Sequence, residues 1–274
     1  MMLSTQLRQT TKKSLLASLL LGFMSISSAQ ATIVQFQTVM GEFEVNLFDH
    51  DPAVKATVDN FLKYVRAEEG YGSYANTIVH RSVPGFVIQG GGFAYTGTVP
   101  PTAIDTGPRI TNQPVYSNVL GTISMAKLGS SVDSATSQWF INLADNSSLL
   151  DSKRNGSFSA FGQVESSDMA TLNAVVKAIA EVSRFNMGSP FNTIPLRAYT
   201  ATDAANNAPV DGDNFVIITD IVILDANTDT AANLNPVKNT LVNKKDDSGG
   251  SMNMLLAGLL ALLALGRKSR FNRG

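Results

Sequence analysis

Few side chains in this sequence could take part in covalent or acid–base chemistry. The chain has no cysteine and two histidines, His50 and His80, which excludes thiolate nucleophiles, disulfides and histidine-rich zinc sites. Neither a G-x-S-x-G nucleophile motif nor a P-loop is present. The glycines at 90–92 lack the spacing of a nucleotide-binding motif and predict a tight bend or a close backbone approach. We therefore expect no metal and no cofactor.

Two motifs instead combine a cation, amides and aromatic rings. The first covers residues 79–91 and reads VHRSVPGFVIQGG. The second reads GTISMA over residues 121–126 and continues as SQWFIN over residues 137–142. These residue types bind and orient a ligand through hydrogen bonds and ring contacts, and they do not form a nucleophile with its base.

Strand parity sorts the residues of the second motif. Gln138 and Phe140 fall on one face of a predicted strand, and Trp139 and Ile141 fall on the other. Taken singly, Arg81 of the first motif could be a surface ion-pair partner, and the phenylalanines could be ordinary core residues. The functional hypothesis depends on the two motifs together.

In these two motifs, and over about Ile33 to Leu224, the chain resembles the cyclophilins, a family of peptidyl-prolyl cis/trans isomerases. The resemblance implies a mainly β fold: a closed eight-stranded antiparallel β-barrel capped by two α-helices. It also implies a substrate groove on the outer surface of the barrel, and polypeptides that contain Xaa-Pro bonds as the binding partners.

The resemblance assigns site residues by motif position. It implies that Arg81 is the catalytic residue. Substrate contacts are implied for Phe86, Val87, Gln89, Ala126, Gln138, Phe140, Leu149 and Phe158. Among these, Phe86 and Phe140 would form walls of a proline pocket, and Ala126 would hold the peptide through its backbone. Three positions depart from many relatives: Val87 replaces a methionine, Leu149 or Leu150 a tryptophan, and Phe158 a histidine.

This reaction fits a site without nucleophile or metal. Rotation about an Xaa-Pro bond crosses a barrier of ~18–20 kcal/mol because it destroys amide resonance, and no bond is made or broken. Arg81 could donate a hydrogen bond to the prolyl nitrogen, which accepts well only when the amide is twisted. Two other functions remain open, namely a proline-peptide binding module or holdase that lacks turnover, and a surface adhesion factor. Arg81 favours the enzyme.

Periodicity predicts the elements that position these residues. Alternating apolar residues predict strands over 34–37 and 43–47, with a hairpin turn at 39–41. Further short apolar runs lie at 79–89, 119–126, 137–143 and 158–164, and the β-branched run Phe215–Leu224 predicts a strand buried on both faces.

Two helices are also predicted. The first begins near Asp51, which could cap it, and ends near Gly70. The second is amphipathic and covers Ser167–Glu181.

Composition and charge separate the two ends from the body. The chain has 274 residues, of which 44% are hydrophobic and 16% charged, and this is typical of a globular protein. When the seven basic residues of 1–31 and 251–274 are set aside, 14 basic and 22 acidic residues remain, a net charge of −8. Such an acidic body argues against binding to nucleic acid.

The two ends resemble export signals. Residues 1–31 have the basic, apolar and small-residue order of a signal peptide and end in Ala-Gln-Ala. Residues 32–225 are the predicted isomerase domain, and residues 226–250 a flexible linker. Residues 251–274 form a hydrophobic segment with a basic end, which resembles a GlyGly-CTERM sorting signal or else is a plain membrane anchor. We therefore expect an exported monomer in the periplasm, at the surface or secreted, with transient membrane association.

Overall fold

The computed structural model describes residues 32–128, 131–152, 156–166, 171–224 and 234–242. Its strands are β1 (Ile33–Thr38), β2 (Gly41–Leu47), β3 (Thr77–Ile78), β4 (Arg81–Val83), β5 (Val87–Gly90), β6 (Phe93–Ala94), β7 (Thr102–Ala103), β8 (Thr122–Met125), β9 (Trp139–Asn142), β10 (Ala160–Val164), β11 (Arg184–Phe185), β12 (Ile194–Pro195) and β13 (Ile217–Leu224). Its α-helices are α1 (Lys55–Val65), α2 (Ser147–Leu150), α3 (Ala174–Glu181) and α4 (Ala201–Ala205). The predicted signal peptide at 1–31 and the hydrophobic segment at 251–274 lie outside the described residues.

One antiparallel sheet curls around the core. Its strand order is β4-β5-β9-β8-β10-β2-β1-β13-β3-β6-β7. The segment 77–83 contributes to both ends of the curl, because β3 pairs with β13 while β4 pairs with β5. Between them, the Val79 amide donates to the Val216 carbonyl and the His80 amide donates to the Gln89 carbonyl, at 2.9 and 3.0 Å. If this segment counts as one strand, eight described strands surround the core, in agreement with the predicted barrel.

The predicted hairpin is confirmed, and it supplies part of the core. β1 and β2 pair in register around a turn at residues 39–40, and their alternate residues are buried. The last strand differs from its prediction. β13 is not buried on both faces, since Ile218 and Ile221 are buried whereas Ile223 is 38% exposed. An antiparallel barrel strand has one face toward solvent, and here β-branched residues occupy that face too.

Two of the helices correspond to the predicted ones, with shorter spans. α1 starts at Lys55, and Asp51 does not cap it; the Asp51 carboxylate instead accepts the Ala53 amide in the preceding turn, at 2.9 Å. α3 starts at Ala174 and is capped by Asn173, whose side chain accepts the Val175 amide. No described helix is both long enough and apolar enough to cross a membrane.

The stretch 183–214 forms a small appendage beside the strand that carries Arg81. It holds the β11–β12 pair and α4, and its apolar side chains pack against barrel residues in one cluster. The Ser82 amide of β4 donates to the Thr193 carbonyl of the appendage at 2.9 Å. The appendage therefore covers an edge of the sheet that would otherwise present unpaired backbone groups.

Part of the predicted linker at 226–250 also packs on the domain. Residues 234–242, here called the strap, run along residues 115–117 and pair with them through backbone hydrogen bonds. The strap has no apolar periodicity, and its contacts are made largely by backbone and polar groups. A polar composition alone therefore did not distinguish it from a linker.

Candidate active site on the outer face of the barrel

Strands β5 and β9 bury side chains on both of their faces. Ile88, Trp139 and Ile141 point inward and belong to the barrel core. The opposite face contributes to a separate apolar group, here called the outer cluster, which consists of Phe86, Val87, Ala126, Phe140, Leu150 and Phe158. The predicted division between the two faces of β9 is confirmed. The outer cluster contains four of the predicted substrate contacts from the two motifs, together with the predicted Phe158.

Arg81 lies on the same face as the outer cluster. It begins β4 directly opposite Gln89 of β5, and Val83, two residues further on, packs against the outer cluster. The Arg81 side chain is 3% exposed, and its Nη1 donates to Gln89 Oε1 at 3.3 Å. Burial lowers the pKa of Arg81 to about 10, so the guanidinium stays charged at neutral pH. This bond uses one of the five guanidinium N–H donors, and the group retains capacity for a further acceptor.

A chain of side-chain amides extends from Arg81 across the sheet. Gln89 lies between Arg81 and Phe140 on neighbouring strands, and its Nε2 donates to Gln138 Oε1 at 2.8 Å. A Cβ atom at Gly92 would lie 2.6 Å from Gln138 Nε2, so this amide can occupy its position only against glycine. The close approach predicted for residues 90–92 is confirmed here. The amide chain fixes the orientation of the donors and acceptors beside Arg81.

Aromatic rings form the walls of the outer cluster. The rings of Phe140 and Phe158 meet edge to face, with centroids 5.6 Å apart and an interplanar angle of 78°. Ala126 lies beside them, and its amide donates to the Gln138 carbonyl at 2.8 Å. Because strand pairing already uses this amide, the carbonyl of Ala126 is the backbone group that a bound chain could reach.

Phe86 is held by its main chain at the end of a turn. Gly85 has a φ of +64°, a conformation that glycine adopts without strain, and the Phe86 amide donates to the Val83 carbonyl at 3.0 Å. The Phe86 carbonyl accepts two hydrogen bonds, from the Leu143 amide and from Asn146 Nδ2, both at 2.8 Å. Asn146 was not predicted as a site residue, since a lone asparagine in a loop gives no pattern to detect.

The helix α2 places two successive leucines differently. Leu150 is fully buried within the outer cluster, whereas Leu149 is half-buried and packs at its edge. Consecutive helical residues point about 100° apart, so one of the two can face the cluster directly. The sequence prediction named Leu149 as the substrate contact. The structure places Leu149 at the rim and Leu150 in the wall.

Beneath these walls lies a buried polar network centred on Asp151. Its carboxylate accepts from Ser117 Oγ at 2.5 Å and from the Asn118 amide and Nδ2 at 2.9 and 2.8 Å. Asn118 Nδ2 also donates to the Phe158 carbonyl at 3.1 Å, and the Phe158 amide donates to the Leu150 carbonyl at 2.9 Å. The network therefore joins the loop 115–118 to the two walls formed by Leu150 and Phe158. Sequence reasoning missed it because its members are scattered along the chain.

A buried lysine, Lys127, contacts the ring of Phe158. Lys127 is 3% exposed, and its ammonium lies 4.6 Å from the centroid of the Phe158 ring. Burial lowers the pKa of Lys127 to about 8, and the charge of Asp133 opposes this shift only in part. Lys127 follows Ala126 directly, but the motif assigned it no role. It introduces a titratable cation next to an otherwise apolar cluster.

His80, which precedes Arg81, is not placed for acid–base chemistry. It is fully buried, and its ring lies edge to face with Phe93 at 5.0 Å. Burial, together with the charge of Arg81, lowers the pKa of His80 to about 3, so the imidazole is neutral at physiological pH.

An open cavity lies beside Gln138, at the end of the amide chain. It has a volume of about 230 Å³, and its lining includes Gln138, Arg109, Leu128 and Ser134. Gln138 is thus shared between the amide chain from Arg81 and this cavity. A ligand that covers the outer cluster could extend into the cavity. Among the described residues, no group of three histidine, aspartate or glutamate side chains is arranged to hold a metal ion.

Rings, side-chain amides and one buried guanidinium thus come together on the outer face of a curled antiparallel sheet. The model of the family "Cyclophilin type peptidyl-prolyl cis-trans isomerase/CLD" matches residues 33–200. The chain belongs to this family of isomerases, as its two motifs predicted.

Curated relatives carry the same activity in their names. A peptidyl-prolyl cis-trans isomerase A of Dickeya dadantii is 36% identical over 178 residues, which cover 62% of this chain and 82% of the relative. A peptidyl-prolyl cis-trans isomerase of Acinetobacter baylyi is 38% identical over 133 residues, or 48% of this chain and 66% of the relative. A solved cyclophilin type isomerase of Cryptosporidium parvum aligns over 71% of this chain and 98% of its own, at 23% identity and a TM-score of 0.49.

Proposed function

We propose that the outer cluster binds the proline ring of an Xaa-Pro segment and that Arg81 catalyses rotation about its imide bond. The observation that carries this proposal is the shared face: the guanidinium, the amide chain and the phenyl rings all lie on one side of strands β4, β5 and β9. Phe86, Phe140 and Leu150 would hold the ring from its sides. The carbonyl of Ala126 would accept from the substrate backbone.

Catalysis then depends on an interaction that strengthens as the amide twists. In the planar ground state the prolyl nitrogen shares its lone pair with the carbonyl and accepts hydrogen bonds poorly. When the bond twists, the lone pair returns to the nitrogen, and a spare N–H of Arg81 can donate to it. The hydrogen bond from Arg81 to Gln89 orients the fork, and low exposure strengthens the interaction. No proton is transferred, and the neutral His80 is not required.

The energies involved are consistent with this simple site. A turnover of about 10³ per second corresponds to a barrier of about 13 kcal/mol, so the site must lower the uncatalysed barrier by roughly 5–7 kcal/mol. One charged hydrogen bond made in the twisted state can supply about 3–4 kcal/mol. Immobilisation of the ring, while the preceding carbonyl swings, can supply the remainder.

Substitution of Arg81 tests this proposal. In a protease-coupled assay on a short Xaa-Pro peptide, we expect Arg81→Ala to lower kcat/KM by about 100-fold or more. Arg81→Lys should recover little, since an ammonium lacks the planar fork. The matched control is Arg184→Ala, which removes an exposed arginine from the appendage. Equal rates for wild type and Arg81→Ala would remove the catalytic role of Arg81, and if both equal the uncatalysed rate they would support the alternative of a proline-peptide binding module without turnover.

We further propose that the substrates are exported proteins. Support comes from the order of basic, apolar and small residues over 1–31 and from the tripartite end of the chain, with Gly249 and Gly250, an apolar run and a basic cluster. Mass spectrometry of the protein expressed in a Gram-negative host that has the sorting protease measures where the mature chain begins and ends. A mature chain that starts near Thr32 supports export, and an intact N-terminus contradicts it. An intact basic C-terminus would favour a retained membrane anchor over a cleaved sorting signal.

A further inference from the structure

The strap, residues 234–242, is attached to the domain by a small set of specific contacts. Its backbone pairs with the loop 115–117: the Ser117 amide donates to the Val237 carbonyl at 2.8 Å, and the Asn239 amide donates to the Val115 carbonyl at 2.9 Å. Leu234, at its start, packs with the apolar group formed by Phe48, Val54, Tyr116 and Ala160. This attachment combines ladder-like hydrogen bonds with apolar burial.

A charged side chain fixes the centre of the strap. The ammonium of Lys238 lies 4.0 Å from the centroid of the Tyr116 ring and 2.9 Å from the Asp51 carboxylate. The Tyr116 hydroxyl donates to the same carboxylate oxygen at 2.7 Å. This hydrogen bond is the largest cause of the low pKa of Asp51, about 2, and Lys238 lowers it further. Asp51 and Lys238 therefore stay charged, and Tyr116 stays neutral, throughout the physiological pH range.

The next residue connects the strap to the candidate active site. Asn239 is 9% exposed, and its Nδ2 donates to the main-chain carbonyl of Asp151 at 3.1 Å. Its Oδ1 accepts the amides of Leu241 and Val242 at 2.8 and 3.1 Å, which holds the side chain in that orientation. Asp151 follows Leu150, a wall of the outer cluster, and its carboxylate organises the network beneath Phe158.

From these contacts we propose that Lys238 and Asn239 are positioning residues of the isomerase, which act through Asp151 to hold the walls formed by Leu150 and Phe158. The inference rests on the proposed proline pocket. The strap would be part of the active domain, although it follows the last barrel strand and lies outside the residues 33–200 matched by the family model. Its loss would leave Arg81 and the amide chain in place, since Arg81 and Gln89 lie on β4 and β5 and Gln138 directly precedes β9. The expected defect is therefore in substrate binding more than in turnover.

The test compares the wild type with Lys238→Ala/Asn239→Ala in the full chain. We expect the dissociation constant for a proline-containing peptide, measured by titration calorimetry, to rise about three- to tenfold. In the coupled assay KM should rise by a similar factor while kcat changes less than about twofold. Amide hydrogen exchange should accelerate at Leu150, Asp151 and Phe158, whose amides donate to carbonyls at positions 146–150. Exchange should stay unchanged in β1 and β13.

Two further variants make the test specific. Val237→Ala is the matched control, since this side chain is 56% exposed and the residue contributes through its backbone, and it should behave as wild type. Asn239→Asp keeps the acceptor and removes the donor to Asp151, so it should reproduce much of the defect without deleting the strap. An unchanged dissociation constant would overturn the proposal, whether or not amide exchange becomes faster. A wild type that binds the peptide without turning it over would contradict the proposed catalysis by Arg81, and the binding comparison would still decide the role of the strap.

Discussion

The inner and outer faces of β5 and β9 are both buried, but they differ in what surrounds them. The inner face contributes Ile88, Trp139 and Ile141 to a core closed by other strands and by α1 and α3. The outer face contributes Val87 and Phe140 to a smaller cluster that adjoins Arg81, the glutamine pair and an open cavity. Burial alone therefore does not separate core from site in this chain. The difference lies in the charged Arg81, the glutamine pair and the open cavity at the border of the outer cluster.

The largest expected effect comes from a substitution on the inner face of β9. Ile141→Ala should lower the free energy of unfolding by about 2–5 kcal/mol, because it removes buried methyl groups and leaves a cavity. At temperatures where this variant remains folded, its kcat/KM should stay within about twofold of wild type. Urea denaturation and the coupled assay measure the two quantities. A large loss of kcat/KM in the folded variant would show that the two faces are not independent.

The next effect depends on the charge behind the outer cluster. Lys127→Met should be more stable than wild type near neutral pH by up to about 3 kcal/mol, because it removes a buried ammonium whose pKa is lowered to about 8. Below pH 8 the lysine is charged in both folded and unfolded chains, and the cost of its burial is complete. Between pH 8 and its unfolded value of 10.5 the folded protein releases the proton first, so the stability of the wild type rises with pH.

Urea denaturation of Lys127→Met and wild type at pH 7, 9 and 10.5 measures this difference. The advantage of the variant should shrink steadily across the series. Loss of the contact with the Phe158 ring lowers that advantage by up to ~2 kcal/mol at every pH where the ammonium is charged. A pH-independent difference between the two proteins would contradict burial of the charge.

The smallest expected effect comes from a substitution on the outer face of β9. Phe140→Leu should lower kcat/KM about tenfold, since it replaces the ring that meets Phe158 edge to face and would hold the substrate proline. Its cost in stability should stay below about 1.5 kcal/mol, because volume is largely kept. Ile141→Ala should lower stability but not activity, and Phe140→Leu should lower activity with little loss of stability, although the two residues are adjacent on one strand. Equal ratios of activity loss to stability loss for the two variants would remove the distinction between the faces.

Sequence reasoning predicted the elements with strong periodicity and the residues within specific motifs. The barrel, the β1–β2 hairpin and the outward position of Phe140 followed from alternation and from the resemblance that the two motifs carry. The predicted roles of Arg81 and of the substrate contacts remain predictions, although the structure brings most of these residues to one face. The sequence left the tryptophan position of many relatives at Leu149 or Leu150, and the prediction named Leu149; the rotation of a short helix, which a sequence does not show, decides which side chain turns inward.

Other features left no local pattern in the sequence. The network around Asp151 joins residues more than 30 positions apart, and hydrogen bonds of this kind depend on the folded geometry alone. The burial of Lys127 is equally invisible, since a lysine in a polar loop is usually solvated. The strap has the composition of a linker, but backbone pairing with residues 115–117 does not need any particular side chains.

The position at which the chain leaves the domain has a mechanical consequence. If the chain left at Leu224, the 26 residues up to Gly250 would allow the domain to range up to about 90 Å from whatever holds the tail. The strap is attached as far as Val242, and the eight residues from there to Gly250 could span at most about 29 Å. If the basic C-terminus is retained as a membrane anchor, as one of the two proposed fates of the tail requires, the domain would stay within that distance of the membrane. Under that proposal, its substrates would be limited to chains close to the same membrane surface.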